Sequence, residues 1–190
     1  QQNITRKAAL TELLSKICDD VYSLTPVINI EAINQNDITS VAKNSRAKVI
    51  AALLRNELES NLGLSGSGQE VSIMRSTLIK TGILSENNGI THIDLAPKDE
   101  LMHHLMSEII AFILDARSCG KLSFGKLYER LCSPNGHIGL RKGLIPIYLA
   151  AVFHKYKKEL IIQDRYTQLP LTADTLLQIN ANPNNFYMAY

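Results

Sequence analysis

The sequence predicts a mainly α fold with a small β component, of the α+β class. Apolar residues recur at intervals of three and four, the helical period, in several stretches bounded by capping residues or prolines. One β-branched run, Glu159 to Asp164, is followed by a turn and an apolar return, the pattern of a hairpin. With 190 residues and 45% apolar composition the chain is long enough to bury one good core or two small ones.

From Thr5 to Ser23, Leu10, Leu13, Leu14, Ile17, Cys18 and Val21 form one stripe with Arg6, Lys7, Glu12, Lys16 and Asp20 mostly opposite, which predicts an amphipathic helix. Thr25-Pro26 ends it, because a residue before proline is pushed out of the α region. Val27 to Ile33 reads as an extended or irregular apolar connection and Asn34 to Asp37 as a polar turn. Thr39 or Ser40 caps a second helix to about Glu59, with Val41, Val49, Ile50, Leu53 and Leu54 inward and Lys43, Arg46, Lys48 and Arg55 toward solvent.

The loop Asn61 to Glu70, NLGLSGSGQE, places small residues before a helix N-terminus, where phosphates bind. The GxxxxGK[ST] pattern fails, since Gln69 and Glu70 follow Gly68 and a carboxylate repels a nucleotide. The loop therefore reads as flexible surface, opening a helix through Val71, Met74, Leu78 and Ile79 that ends at Gly82. Ser85 to Pro97 is turn-rich, with a hairpin turn at Asn88-Gly89, and divides a helical subdomain, 1–95, from a second domain, 96–190.

Pro97 in the first turn, with Asp99 and Glu100 behind it, starts a helix to about Arg117 through Leu101, Leu105, Ile109, Phe112 and Ile113. His103 and His104 are adjacent on it and point about 100° apart, unlike the HExxH arrangement that holds zinc. After the turn Cys119-Gly120-Lys121, Ser123 caps a short helix, Phe124 to Cys132, which Ser133 to Gly136 ends. The next helix runs from about Leu144 to Lys157, and Pro146 sets φ near its start. Gly136, Gly139 and Gly143 give the connection the freedom for tight turns. Two helices joined in this way have the form of a helix-turn-helix with a longer connection than usual.

Glu159 to Asp164, the turn Arg165-Tyr166-Thr167 and the return Gln168 to Leu171 make the hairpin. Thr172 and Asp174 start a last helix, Ala173 to Ile179, and Phe186 to Tyr190 alternates like an edge strand added to the hairpin. The order helix, short helix, helix, hairpin, helix, strand is that of a winged-helix-like domain with a small β-hairpin or three-stranded sheet.

Net charge is +2, but residues 117 to 165 hold ten basic and three acidic side chains, a net +7, which leaves −5 for the remainder. Lys126, Arg130, Arg141, Lys142, Lys155 and Lys158 surround the two helices, with Arg165 and Tyr166 at the wing tip. These eight are the predicted contacts for nucleic acid or a partner protein. A structural reading stands beside this one. Lysines 155 to 158 end a helix, where each cation complements the macrodipole by ~0.3 to 1 kcal/mol, and Arg141 pairs with an acid of the same fold.

Cys18, Cys119 and Cys132 form no CxxC pair, so neither a disulfide framework nor a zinc site is expected and the reading is a reducing, cytoplasmic compartment. The apolar run Leu144 to Phe153 is about half a bilayer span, and no signal peptide is seen, so no membrane partner is expected. No GxSxG occurs, no cysteine has an activating setting, and Asp19-Asp20, Glu57 and Glu59 read as solvated charge. Neither a cofactor nor a catalytic residue is predicted. A free-standing enzyme remains as a third reading, its site assembled from distant residues such as His137, Arg141 and Tyr148. The chain begins at Gln1 without Met, which fits a segment of a longer protein.

GLRKGLIPIYLA, with ELIIQD and LTADTLLQINANPNNFYMAY after it, resembles the C-terminal part of large bacterial P-loop ATPases from phage-defence and restriction loci. TPVINIEAIN, SRAKVIAALL and TLIKTG are similar to the same family. The resemblance implies a nucleotide site in an upstream domain and a non-catalytic accessory role for this segment, coupling ATP turnover to nucleic acid or a partner subunit. The alternative is a winged-helix module that binds double-stranded DNA directly.

Overall fold

The computed structural model describes residues 2–189 and the side chains of residues 6–189. Gln1, and Tyr190 at the expected end of the last strand, lie outside the described residues. Seven helices are seen among them: α1 (Gln2–Val21), α2 (Ser40–Leu53), α3 (Gln69–Met74), α4 (Glu100–Cys119), α5 (Phe124–Cys132), α6 (Ile145–Tyr156) and α7 (Ala173–Ala181). Six short strands accompany them: β1 (Leu84–Asn87), β2 (Ile90–Ile93), β3 (Lys121–Ser123), β4 (Ile161–Gln163), β5 (Gln168–Leu169) and β6 (Tyr187–Ala189). The architecture is mainly α with a minor β part. No helix among the described residues is long and apolar enough to cross a membrane.

The centre of the fold is α6, because its sequence is apolar on every face through its first two turns. All residues from Ile145 to Phe153 are buried, and α2, α4 and α7 pack around them. Phe112 of α4, Phe124 of α5 and Phe153 of α6 form a tilted aromatic row, with centroids 5.3 and 6.2 Å apart. Buried side chains from Ile28 to Met188 join in one cluster that includes Leu84 and Ile93 of the β1–β2 hairpin.

Most of the expected caps are present. The Thr39 hydroxyl accepts from Ala42 N, Asp99 from Met102 N, Ser123 from Gly125 N and Thr172 from Thr175 N. Pro97 lies ahead of the Asp99 cap and outside α4. The second helix stops at Leu53 and does not reach Glu59, and a turn at Ser60–Gly63 beyond it buries Leu62. The loop expected to be flexible surface is thus pinned at one residue. Glu70, at the start of α3, pairs with Lys48 at 3.2 Å, and α3 continues as a π turn, Arg75–Ile79, to Gly82.

Asn88 and Gly89 both take positive φ, 54° and 75°, in the tight turn that joins β1 to β2. The second sheet has four antiparallel strands in the order β3-β6-β4-β5. Here β6 is interior, with Met188 opposite both Leu122 of β3 and Ile162 of β4, so the expected edge strand is instead flanked on both sides. The difference comes from β3, three residues that read locally as part of a turn and become a strand only by pairing with β6.

Candidate anion-binding groove

The basic turn before α6 is held by backbone bonds from three directions. Gly143 N donates to Gln35 O at 2.9 Å, Lys142 N donates to Asn36 Oδ1 at 3.2 Å, and Leu140 N donates to Leu131 O at 2.7 Å. A Cβ at Gly143 would lie 2.0 Å from Ile33 O and 2.7 Å from Gln35 O. This glycine therefore serves close backbone approach, while Gly139, at φ +59° against the Tyr22 ring, serves the turn.

Arg46 of α2 completes the clamp, its Nη1 donating to Gly143 O at 2.9 Å. The side chain is only 4% exposed. It was expected on the solvent side, and it falls inside because Ala42, Arg46, Val49 and Leu53 share the buried face of α2. Val41, expected inside, is exposed. Burial pulls the Arg46 pKa below its ordinary value, with the neighbouring Tyr128 acting in the other direction. The guanidinium still stays charged at neutral pH. Its Nε has no hydrogen-bond partner, and none of the ion pairs among the described residues involves it. Burial pushes the Tyr128 phenol well up, so Tyr128 is neutral and its hydroxyl donates to Asn180 Oδ1 at 2.9 Å.

Beside this guanidinium lies a groove of about 380 Å³ lined by Asn36, Asp37, Ile38, Lys43, Arg46, Lys142, Leu177, Asn180 and Ala181. A second groove of about 350 Å³ adjoins it through Asn36 and Lys142 and takes in Arg141, Tyr22, Asn34 and Cys132. Lys43, Arg141 and Lys142 are exposed, and none of them forms an ion pair among the described residues. Asp37 is the acid on the lining, and it too is exposed and outside those ion pairs. Burial pushes the Cys132 thiol up, against an opposing effect of Lys142, so it is protonated and unreactive at neutral pH.

The eight predicted contact residues fall into separate places. Arg141 and Lys142 stand at one end of α6; Lys155 and Lys158 are exposed near the other, about 18 Å along the axis at 1.5 Å per residue. Lys126 and Arg130 line a different groove on α5, where Arg130 Nη2 pairs with Asp115 Oδ2 at 2.6 Å. Arg165 and Tyr166 lie with Asp164 at the β4–β5 tip and line a shallow groove with Asn185. Asp164 Oδ1 accepts from the amides of Tyr166 and Thr167 at 2.7 Å each, which holds its carboxyl below the usual range.

The first two turns of α6 are enclosed by the core. Tyr148 is fully buried in α6 and its hydroxyl faces no partner, so it shares no surface with the exposed His137 and Arg141. His137 Nδ1 instead donates to Val21 O at 2.9 Å. At the far end of α6, His154 Nδ1 donates to Leu53 O at 2.7 Å, and Lys157 Nζ reaches the Arg55 and Asn56 carbonyls at 3.3 and 3.4 Å. The His154 bond caps the C-terminus of α2, and the Lys157 bonds hold the chain that leaves it.

Sequence reading missed Arg46, Lys43, Asn36 and Asn180 as members of the site. The signal for Arg46 was its spacing, four residues after Ala42 and three before Val49, which outranks the usual exposure of arginine. Comparison with protein-family models, with curated proteins and with solved structures returned no match.

Proposed function

We propose that the chain is a non-catalytic binding module that takes a compact anionic group, phosphate or carboxylate, in the groove lined by Asn36, Lys43, Arg46, Lys142 and Asn180. The observation that carries this reading is Arg46, a buried guanidinium whose hydrogen bonding among the described residues is one bond, to Gly143 O. A buried charge without a counter-ion costs several kcal/mol. One neutral carbonyl offsets only part of that cost. The groove beside it presents Lys43 and Lys142 together with the amides of Asn36 and Asn180, the donors a tetrahedral or planar oxyanion requires. No activated nucleophile accompanies them, which supports binding without turnover. The resemblance of GLRKGLIPIYLA and its neighbouring segments to P-loop ATPase C-terminal regions supports a setting in which the module couples an upstream ATPase to a partner.

Titration with inorganic phosphate, followed by amide chemical shifts, is expected to move Asn36, Lys43, Lys142 and Asn180. Lys43→Ala and Lys142→Ala change exposed side chains, so the fold is retained while affinity falls roughly tenfold for each, about 1.4 kcal/mol. Shifts that stay flat in phosphate at low salt contradict the reading.

A second reading, direct contact with double-stranded DNA, draws on the net +7 of residues 117 to 165 and the exposure of Lys126, Arg141, Lys142, Lys155, Lys158, Arg165 and Tyr166. With α6 enclosed, such contact is to phosphates and reads no sequence. Affinity for a labelled duplex should then fall steeply with salt and weaken in Arg141→Ala and Lys142→Ala. A flat anisotropy trace at low salt removes this reading.

A further inference from the structure

Every residue of α1 from Arg6 to Asp20 is exposed. Ten large hydrophobic side chains are exposed among the described residues, and four of them, Leu10, Leu13, Leu14 and Ile17, lie together on two turns of α1 at 57, 55, 53 and 48%. The remaining six are distributed over other elements and need no explanation. A stripe of this size on an otherwise polar helix marks an interaction surface. In proteins most helical stability comes from packing an apolar face and not from intrinsic propensity.

The charges on α1 say what covers it. Arg6 and Lys7 lie toward its start, Asp19 and Asp20 occupy its last turn, and Glu12 and Lys16 pair with each other at 2.8 Å in between. This distribution opposes the helix macrodipole, which favours acids at the start and cations at the end. It is therefore unexplained by the stability of α1 alone. Two such helices side by side and antiparallel bring Arg6 of each to Asp20 of the other on one flank of the stripe, and oppose their dipoles. A parallel pair sets like charge against like at both ends. The stripe has the matching symmetry, since a two-fold axis between Leu13 and Leu14 lays Leu10 over Ile17.

We propose that α1 is a docking surface for a second copy of this chain, the two helices pairing antiparallel about an axis near Leu13 and Leu14. The interface is isologous, so it closes as a dimer and does not propagate. The C-terminus of α1 is tied to the rest of the fold: His137 Nδ1 donates to Val21 O at 2.9 Å, and just beyond the helix Leu24 N donates to His137 O at 2.9 Å and Thr25 Oγ1 to Ile138 O. The inference is independent of the anion groove.

Sedimentation velocity over a range of concentrations tests it on the whole chain. The wild type is expected to form a dimer, and Leu13→Glu with Leu14→Glu to give a monomer that still shows the wild-type phosphate response in the groove. Arg6→Glu should weaken the dimer at least tenfold, as should Asp20→Lys. Combining the two reversals in one chain should restore it. Cys18 supplies the orientation. In the antiparallel pair the two Cys18 residues are about 13 Å apart along the axis, too far for a disulfide, so oxidation leaves them unlinked. A monomer at every concentration, a dimer indifferent to Leu13 and Leu14, reversals that are not rescued, or a Cys18–Cys18 cross-link each overturn the proposal.

Discussion

Replacing Arg46 with Met keeps most of the side-chain volume and removes the charge, which separates what the guanidinium does for the fold from what it does for the groove. The Gly143 carbonyl loses its donor, at about 1 to 3 kcal/mol, and the core loses an unpaired desolvated cation, a gain of similar size. Urea unfolding of Arg46→Met should therefore stay within about 2 kcal/mol of wild type, whereas phosphate binding should be lost. His154 provides a second test at this scale. Burial, with lesser effects from Lys157 and Lys155, holds its imidazole below the ordinary value, while its bond to Leu53 O works in the other direction. The unfolded chain thus takes up a proton that the folded chain refuses. Stability is complete above the ordinary imidazole pKa of about 6.5 and declines as pH falls from there toward the lowered folded value. Midpoint temperature should drop over that window in wild type, and the drop should shrink in His154→Gln. Arg46 also marks where residue type misleads. Its position in the 42-46-49-53 stripe placed it inside, and only the habit of arginines pointed outward.

At the scale of elements, local signals were legible and long-range ones were not. Thr39, Asp99, Ser123 and Thr172 cap helices through bonds to residues two or three positions on, and Asn88-Gly89 turns a hairpin through its own backbone angles. Such features need no information from elsewhere in the chain. Strand β3 is different, because Lys121–Ser123 becomes a strand only when residues 187–189 arrive to pair with it, 66 positions later at the Leu122–Met188 pair. The interior position of β6 follows from the same pairing. The apolar period of α1 correctly gave a helix, but periodicity reports which face is apolar and not what covers it. The buried face of α6 is expected to have a purely structural role. Phe153→Ala removes one end of the Phe112–Phe124–Phe153 row and should cost about 3 to 5 kcal/mol in urea unfolding. A loss below about 1 kcal/mol would mean that α6 is not the packed centre.

Taken as a whole, the molecule places a fixed basic turn on a buried helix and leaves cations, amides and one apolar helix face available to partners. Seven of the eight predicted contact residues are exposed but they do not converge, and the site around Lys142 was not legible, because Lys142 meets Lys43, Arg46 and Asn180 only after α2 and α7 pack on α6. On the proposed non-catalytic reading, ATP incubated with the purified chain should be recovered intact, and phosphate release above background would contradict it. The central claim is tested most directly at Arg46 itself. The Nε–Hε cross-peak of Arg46, followed in an NMR titration with inorganic phosphate, should shift progressively and saturably together with the amides of Lys43 and Lys142, and the response should weaken in Lys142→Ala. A cross-peak that stays in place while phosphate saturates other sites would show that the buried guanidinium belongs to the fold alone.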